Sequence, residues 1–197
     1  MEREKVLSFI GRAYATACSH GFHDVDRSDA HFMMLVISEI GEMVEADRKS
    51  RRADVERYVA ESKFGADVYD KDARSPFEKY VKDTLEDELA DVCIRIFDFC
   101  GYRRLEPSMS SKGLIEMDDN FEYIFGTMSI CEQCYALCNL VTDVTRFASP
   151  DEKQRALGCI LSFAVSFARR HGIDLEWHIE NKMLYNENRA IRHGKGY

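Results

Sequence analysis

The chain has 197 residues, of which 45% are hydrophobic and 31% charged, which suits one soluble globular domain with room for insertions. A net charge of −8 argues against a general electrostatic grip on nucleic acid or anionic membrane. No apolar run approaches the roughly 20 residues needed to span a bilayer, the N-terminal "MEREKVLSFIGRAY" lacks the apolar core of a signal peptide, and seven cysteines, an odd count, point to free thiols in a reducing cytoplasm.

Apolar spacing between the breaks is mostly helical, with no convincing strand alternation, and predicts helices near residues 3–19, 29–50, 77–101, 121–147, 151–171 and 174–189. The three prolines, Pro76, Pro107 and Pro150, fall at the expected breaks. The charged stretch 48–76 reads as an insertion, partly helical or mobile, and 102–120 as a second loop. Within "SPDEK", Ser149 is an N-cap and Pro150 the first helical residue. In "HGID", Gly172 stops one helix and Asp174 caps the next.

The second helix carries an anomaly. Val36, Ile37, Ile40, Met43 and Val44 form its core face, yet Glu39 falls among the apolar residues and Glu42 lies one step round. Residues three apart on a helix are neighbours, so both carboxylates can point the same way. The third helix repeats the device. Leu85, Leu89, Val92, Ile96 and Phe99 make its stripe, Glu88 and Asp91 lie on the flank, and Arg95 follows one turn later. If the two helices pack as neighbours, four carboxylates converge at the edge of an apolar core. Their repulsion would raise some pKa values, and a divalent cation would relieve it. All-oxygen ligands without a nearby His or Cys suit Mg²⁺, or else Mn²⁺. The same spacing also fits an ordinary solvated face. A di-iron carboxylate bundle would want Glu-x-x-His, and none of the six histidines has Glu three residues before it.

The C-terminal "HIENKMLYNENRAIRHGKGY" is locally basic. Lys182, Asn186 and Arg189 share one helical face, and Arg192, His193 and Lys195 follow near two glycines. Cations facing a metal site suit a polyphosphate, whose charge metal and bases would share. The alternative is a frayed, solvated tail. Cys131, Cys134 and Cys138 in "CEQCYALC" lack a fourth nearby ligand and read as small core residues, as do Cys93 and Cys100. Trp177, Tyr185 and Phe32 read as packing residues that could also stack on a base. His23 and Asp24, in "GFHD", read as a turn without chemistry.

Taken together, "SEIGEMVEADR", "EDELADVCIRIFDF" and "KMLYNENRAIRHGKGY" resemble the two metal motifs and the phosphate-binding segment of the all-α nucleoside triphosphate pyrophosphohydrolases, the MazG and dimeric dUTPase superfamily. The resemblance covers roughly residues 28–50, 84–100 and 178–197. It implies a single all-α domain over 1–197, a four-helix-bundle-like MazG fold with extra helices. It implies Mg²⁺ ligands at Glu39, Glu42, Glu88 and Asp91, and phosphate contacts at Lys182, Asn186 and Arg189, with Tyr185 and Lys195 beside them. Of the acids, Glu42 is the one expected to take a proton from water. The implied reaction converts a (d)NTP and water to a (d)NMP and pyrophosphate, for cleaning of the nucleotide pool, in a homodimer or homotetramer. The chain departs from the family pattern in the long spacing between Glu42 and Glu88, in Ser38 where a second acid often precedes Glu39, and in 102–170, which resembles nothing nameable. A non-catalytic helical module that binds nucleotides or a partner is the competing expectation.

Overall fold

The computed structural model describes residues 1–64, 75–114 and 125–188. Among them are eight α-helices and no strand. They are α1 (Arg3–Ser19), α2 (Asp29–Arg48), α3 (Val55–Phe64), α4 (Pro76–Tyr80), α5 (Leu85–Arg103), α6 (Ile130–Asp143), α7 (Pro150–Arg170) and α8 (Leu175–Glu187), with a 3₁₀ turn at Val144–Arg146. None of the described helices is long and apolar enough to cross a membrane.

Helix α5 is the central element, packed against α1, α2, α7 and α8. Its predicted stripe, Leu85, Leu89, Val92, Ile96 and Phe99, is completely buried. On α2 the residues Val36, Ile40 and Met43 are buried and Ile37 and Val44 half-buried against the same core. The two helices run antiparallel. Phe32, in the first turn of α2, meets Phe99 near the end of α5 at 5.5 Å between ring centroids. Arg103, the last residue of α5, reaches back to Asp29, the first of α2, with Nε donating to Oδ1 at 2.8 Å. Helix α1 lies close over α5 because Gly101 has no side chain: a Cβ there would stand 2.5 Å from the Cβ of Tyr14.

Two helix starts are those marked in the sequence, at Ser149 and Asp174, and α2 and α6 also carry serine caps. Ser149 and Glu152 form a complete capping box with Pro150 at the first helical position. Gly172 adopts φ 68° at the stop before α8, and Asp174 accepts from the Trp177 amide at 3.1 Å. Ser28 caps α2 through the His31 amide, and Ser129 caps α6 with its own box on Glu132.

Four boundaries differ from expectation. The helix expected over 77–101 is two, α4 and α5, because the chain turns sharply at 81–84: Asp83 has φ 59°, and Thr84 starts a new helix by accepting from the Asp87 amide. Of the helix expected over 121–147, residues 121–124 lie outside the described residues, α6 runs over Ile130–Asp143, and the residues after it tighten into the 3₁₀ turn. The charged stretch at 48–76 contains α3 and the start of α4, while 65–74 lies outside the described residues. The expected loop begins only after Arg103; its described part is tied down by backbone bonds from Ser108 to Gln154 and from Leu114 to Met1.

Candidate metal and nucleotide site

The antiparallel pairing brings the C-terminal half of α2 beside the first turns of α5, where both acidic motifs lie. One carboxylate oxygen from each of Glu39, Glu42 and Glu88 falls within 4.8 Å of the other two. The three environments differ. Glu39 and Glu88 are buried, at 7% and 3% exposure, whereas Glu42 is exposed. Burial is the main reason the Glu88 carboxyl is pushed up to about 9, with the nearby Asp91 charge adding to it. Burial also raises Glu39, but Arg95 opposes this. Its Nε and Nη2 both lie 2.9 Å from Glu39 Oε1, a charge-assisted pair across the two helices.

The fourth expected ligand, Asp91, is engaged elsewhere. Its Oδ2 lies 2.7 Å from Lys182 Nζ. The same ammonium donates to Asp87 Oδ2 at 2.6 Å. Lys182 is only 4% exposed; the two carboxylates outweigh its desolvation and raise its pKa. Asp87 itself is pushed up to about 6 by burial, which the Lys182 charge only partly offsets. Its Oδ2 also accepts from the Asp83 amide at 3.0 Å, and its Oδ1 is buried with no partner among the described residues.

Glu39, Glu42, Glu88, Asp91, Lys182 and Asn186 all line one cavity of about 620 Å³ between α1, α2, α5 and α8. That volume is within the range of small-molecule sites. Away from the acids the cavity is walled by Phe22, Phe32, Leu35 and Ile94, with His20, His23, His31, Arg27 and Asp98 among them. One end is therefore a carboxylate cluster and the other an apolar, aromatic and imidazole-rich chamber.

Tyr185 and Trp177 line no part of this cavity. Tyr185 is turned toward α4: its ring stacks on Phe77 at 4.6 Å, and its hydroxyl donates to Glu78 Oε1 at 2.7 Å. Arg189, Arg192, His193 and Lys195 lie outside the described residues. Trp177 packs edge-on against Tyr58. Cys134 is buried, Cys138 half-buried and Cys131 exposed, and all seven thiols are free.

Asp87 is the partner that sequence reasoning passed over. In "EDEL" it stands in the first helical turn, where any acid favours the helix N-terminus. The available signal was its spacing three residues after Thr84, which places its side chain back over the helix start, next to Asp83. Glu86 was also missed. It is 8% exposed and binds the chain ahead of α3, accepting from the Ala53 amide at 3.0 Å and pairing with Arg52 at 3.2 Å.

The chain matches no protein-family model, no curated protein and no solved structure.

Proposed function

We propose that the chain is a Mg²⁺-dependent nucleoside triphosphate pyrophosphohydrolase, of the all-α kind its three motifs resemble, working as a homodimer or homotetramer. The observation that supports this most is the meeting of two acidic motifs, from separate helices, at one end of a cavity of nucleotide size.

The donor set fits the ion. Neighbouring ligands of one octahedral Mg²⁺ sit about 3 Å apart and opposite ones about 4 Å. Three carboxylate oxygens already within 4.8 Å of one another need only small side-chain movements to meet that geometry. Their hardness suits Mg²⁺ or Mn²⁺ over softer metals. Glu39, Glu42 and Glu88 would hold the ion, with Asp91 beside them through its second oxygen. When bound, the ion supplies charge neutralisation at the phosphates and a more acidic water.

The chain's own residues do the rest. Arg95 fixes Glu39, so one ligand is oriented before substrate arrives. Lys182 fixes Asp91 and keeps a positive charge in the cavity wall facing the polyphosphate. Asn186, one turn on, offers a side-chain amide to a phosphate oxygen. Glu42, the exposed acid, takes the proton from the attacking water. The water oxygen bonds to the α-phosphorus, the α–β bridging bond breaks, and pyrophosphate leaves with that electron pair. Arg189 and Lys195 would steady the departing charge.

The competing reading, a nucleotide- or partner-binding module without catalysis, draws on one observation: Glu39 and Asp91 already have cations from their own chain. A pyrophosphate-release assay over the common and damaged (d)NTPs, with and without Mg²⁺, separates the two. The enzyme reading expects Mg²⁺-dependent release that Glu42→Gln abolishes with the melting curve unchanged. Binding of nucleotides with no release from any of them supports the module instead.

A further inference from the structure

Helix α5 presents Glu88, Asp91, Arg95 and Asp98 to the cavity at successive turns. Asp98 stands ten residues after Glu88, about 15 Å along the axis. A nucleotide whose phosphates sit at the acids therefore extends its base toward Asp98. There Asp98 Oδ1 accepts from His23 Nε2 at 2.6 Å. The His23 side chain is only 6% exposed, yet it lines the cavity. Its ring is held by aromatic neighbours, stacked on Tyr102 at 4.5 Å and 14°, with Tyr14 at 5.4 Å and Phe32 at 5.8 Å. Its second nitrogen, Nδ1, is buried and has no hydrogen-bond partner among the described residues.

That orphan atom is costly. A buried polar group with no partner loses its hydration without return, and native proteins keep such groups where something else will satisfy them. An ionised Asp98 carboxylate can only accept, which puts a proton on Nε2, and in that tautomer of the neutral imidazole Nδ1 is an acceptor.

We propose that His23, held by Asp98, is the base-reading residue of this cavity, accepting at Nδ1 a hydrogen bond from an N–H of the substrate's nucleobase. This rests on the nucleotide reading of the acidic end, but not on catalysis. The base stands against the apolar wall of Phe32, Leu35 and Ile94. Its edge donor satisfies the Nδ1 acceptor, which has no partner among the described residues. A site built around a specific donor rejects an analogue lacking it far more strongly than an apolar pocket rejects a change of size.

The test uses nucleosides, which need neither metal nor phosphate. At pH 8, calorimetry compares each common nucleoside with its counterpart methylated at the edge nitrogen: N3-methylthymidine, N1-methylguanosine, N4,N4-dimethylcytidine and N6,N6-dimethyladenosine. For at least one pair the natural nucleoside should bind, and methylation should weaken it by roughly tenfold or more. His23→Gln retains a donor to Asp98 and lacks Nδ1, and in it that ratio should fall to about threefold or less. A methylated set that binds as well as the natural one overturns the inference, as does no nucleoside binding or an unchanged ratio in His23→Gln. Pyrophosphate release from the triphosphates is scored separately, so an inactive protein that still discriminates its nucleosides refutes the enzyme while keeping the base site.

Discussion

Glu88 joins near-complete burial to a proton affinity raised to about 9, so the metal-free folded chain keeps a proton there that the unfolded chain releases near 4.5. Between those two pH values the unfolded state binds fewer protons, and stability falls as pH rises. Glu88→Gln resembles the protonated acid and removes this slope. Urea unfolding at pH 5, 7 and 9 should show the variant gaining on the wild type, by about 1 to 3 kcal/mol at pH 7, and parallel profiles would contradict the buried, protonated state. Lys182 presents the opposite case. Its removal leaves Asp87 and Asp91 buried without their shared cation, and Lys182→Met should cost about 3 to 5 kcal/mol. A urea midpoint close to that of the wild type would mean that this ammonium is not the structural counter-charge its contacts indicate. At this scale the sequence was informative but incomplete. Glu39, Glu42 and Glu88 could be placed together because periodicity reports which side of a helix a residue occupies. The capture of Asp91 by Lys182 could not be foreseen, since it depends on how α8 approaches α5. The orphaned Nδ1 of His23, in a turn that looked featureless, depends on Asp98 far along the chain.

At the scale of elements, local chemistry wrote the boundaries of α7 and α8 plainly. A serine cap, a proline and a glutamate three residues on leave little choice at 149–152, and Ser149→Ala should destabilise the fold by about 1 kcal/mol, read as a lower urea midpoint. No change there would show that the box contributes nothing beyond the helix's own packing. The break between α4 and α5 was harder to see, because apolar spacing runs through it. It is marked by the positive φ of Asp83, a conformation that an aspartate adopts more readily than most residues, and by the Thr84 cap. The turn matters to the site, since it lets α5 begin at Leu85 and sets Glu86, Asp87 and Glu88 in its first turn.

For the whole molecule, the cavity is a consequence of antiparallel pairing. α2 and α5 cross with their acids at one end and their aromatic residues at the other, and α1 and α8 close the sides. The close approach of α1 depends on Gly101. Gly101→Val would drive a side chain into Tyr14, and should cost about 1 to 3 kcal/mol while loosening the chamber that holds His23. A melting temperature equal to that of the wild type would show that α1 can shift without loss. An all-α architecture was legible from periodicity alone. The order in which helices surround α5 was not, because burial on nearly all sides of a helix says that it is central without saying which neighbour covers each face.

The proposition beneath these readings is that acids from two helices act as one magnesium site. Calorimetric titration of Mg²⁺ into the wild type and into Glu42→Gln and Glu88→Gln, one substitution on each helix, tests it most directly. Saturable binding in the wild type, weakened by roughly tenfold or more in both folded variants, is the expected result. No saturable binding to the wild type, or an affinity that neither substitution changes, would contradict it.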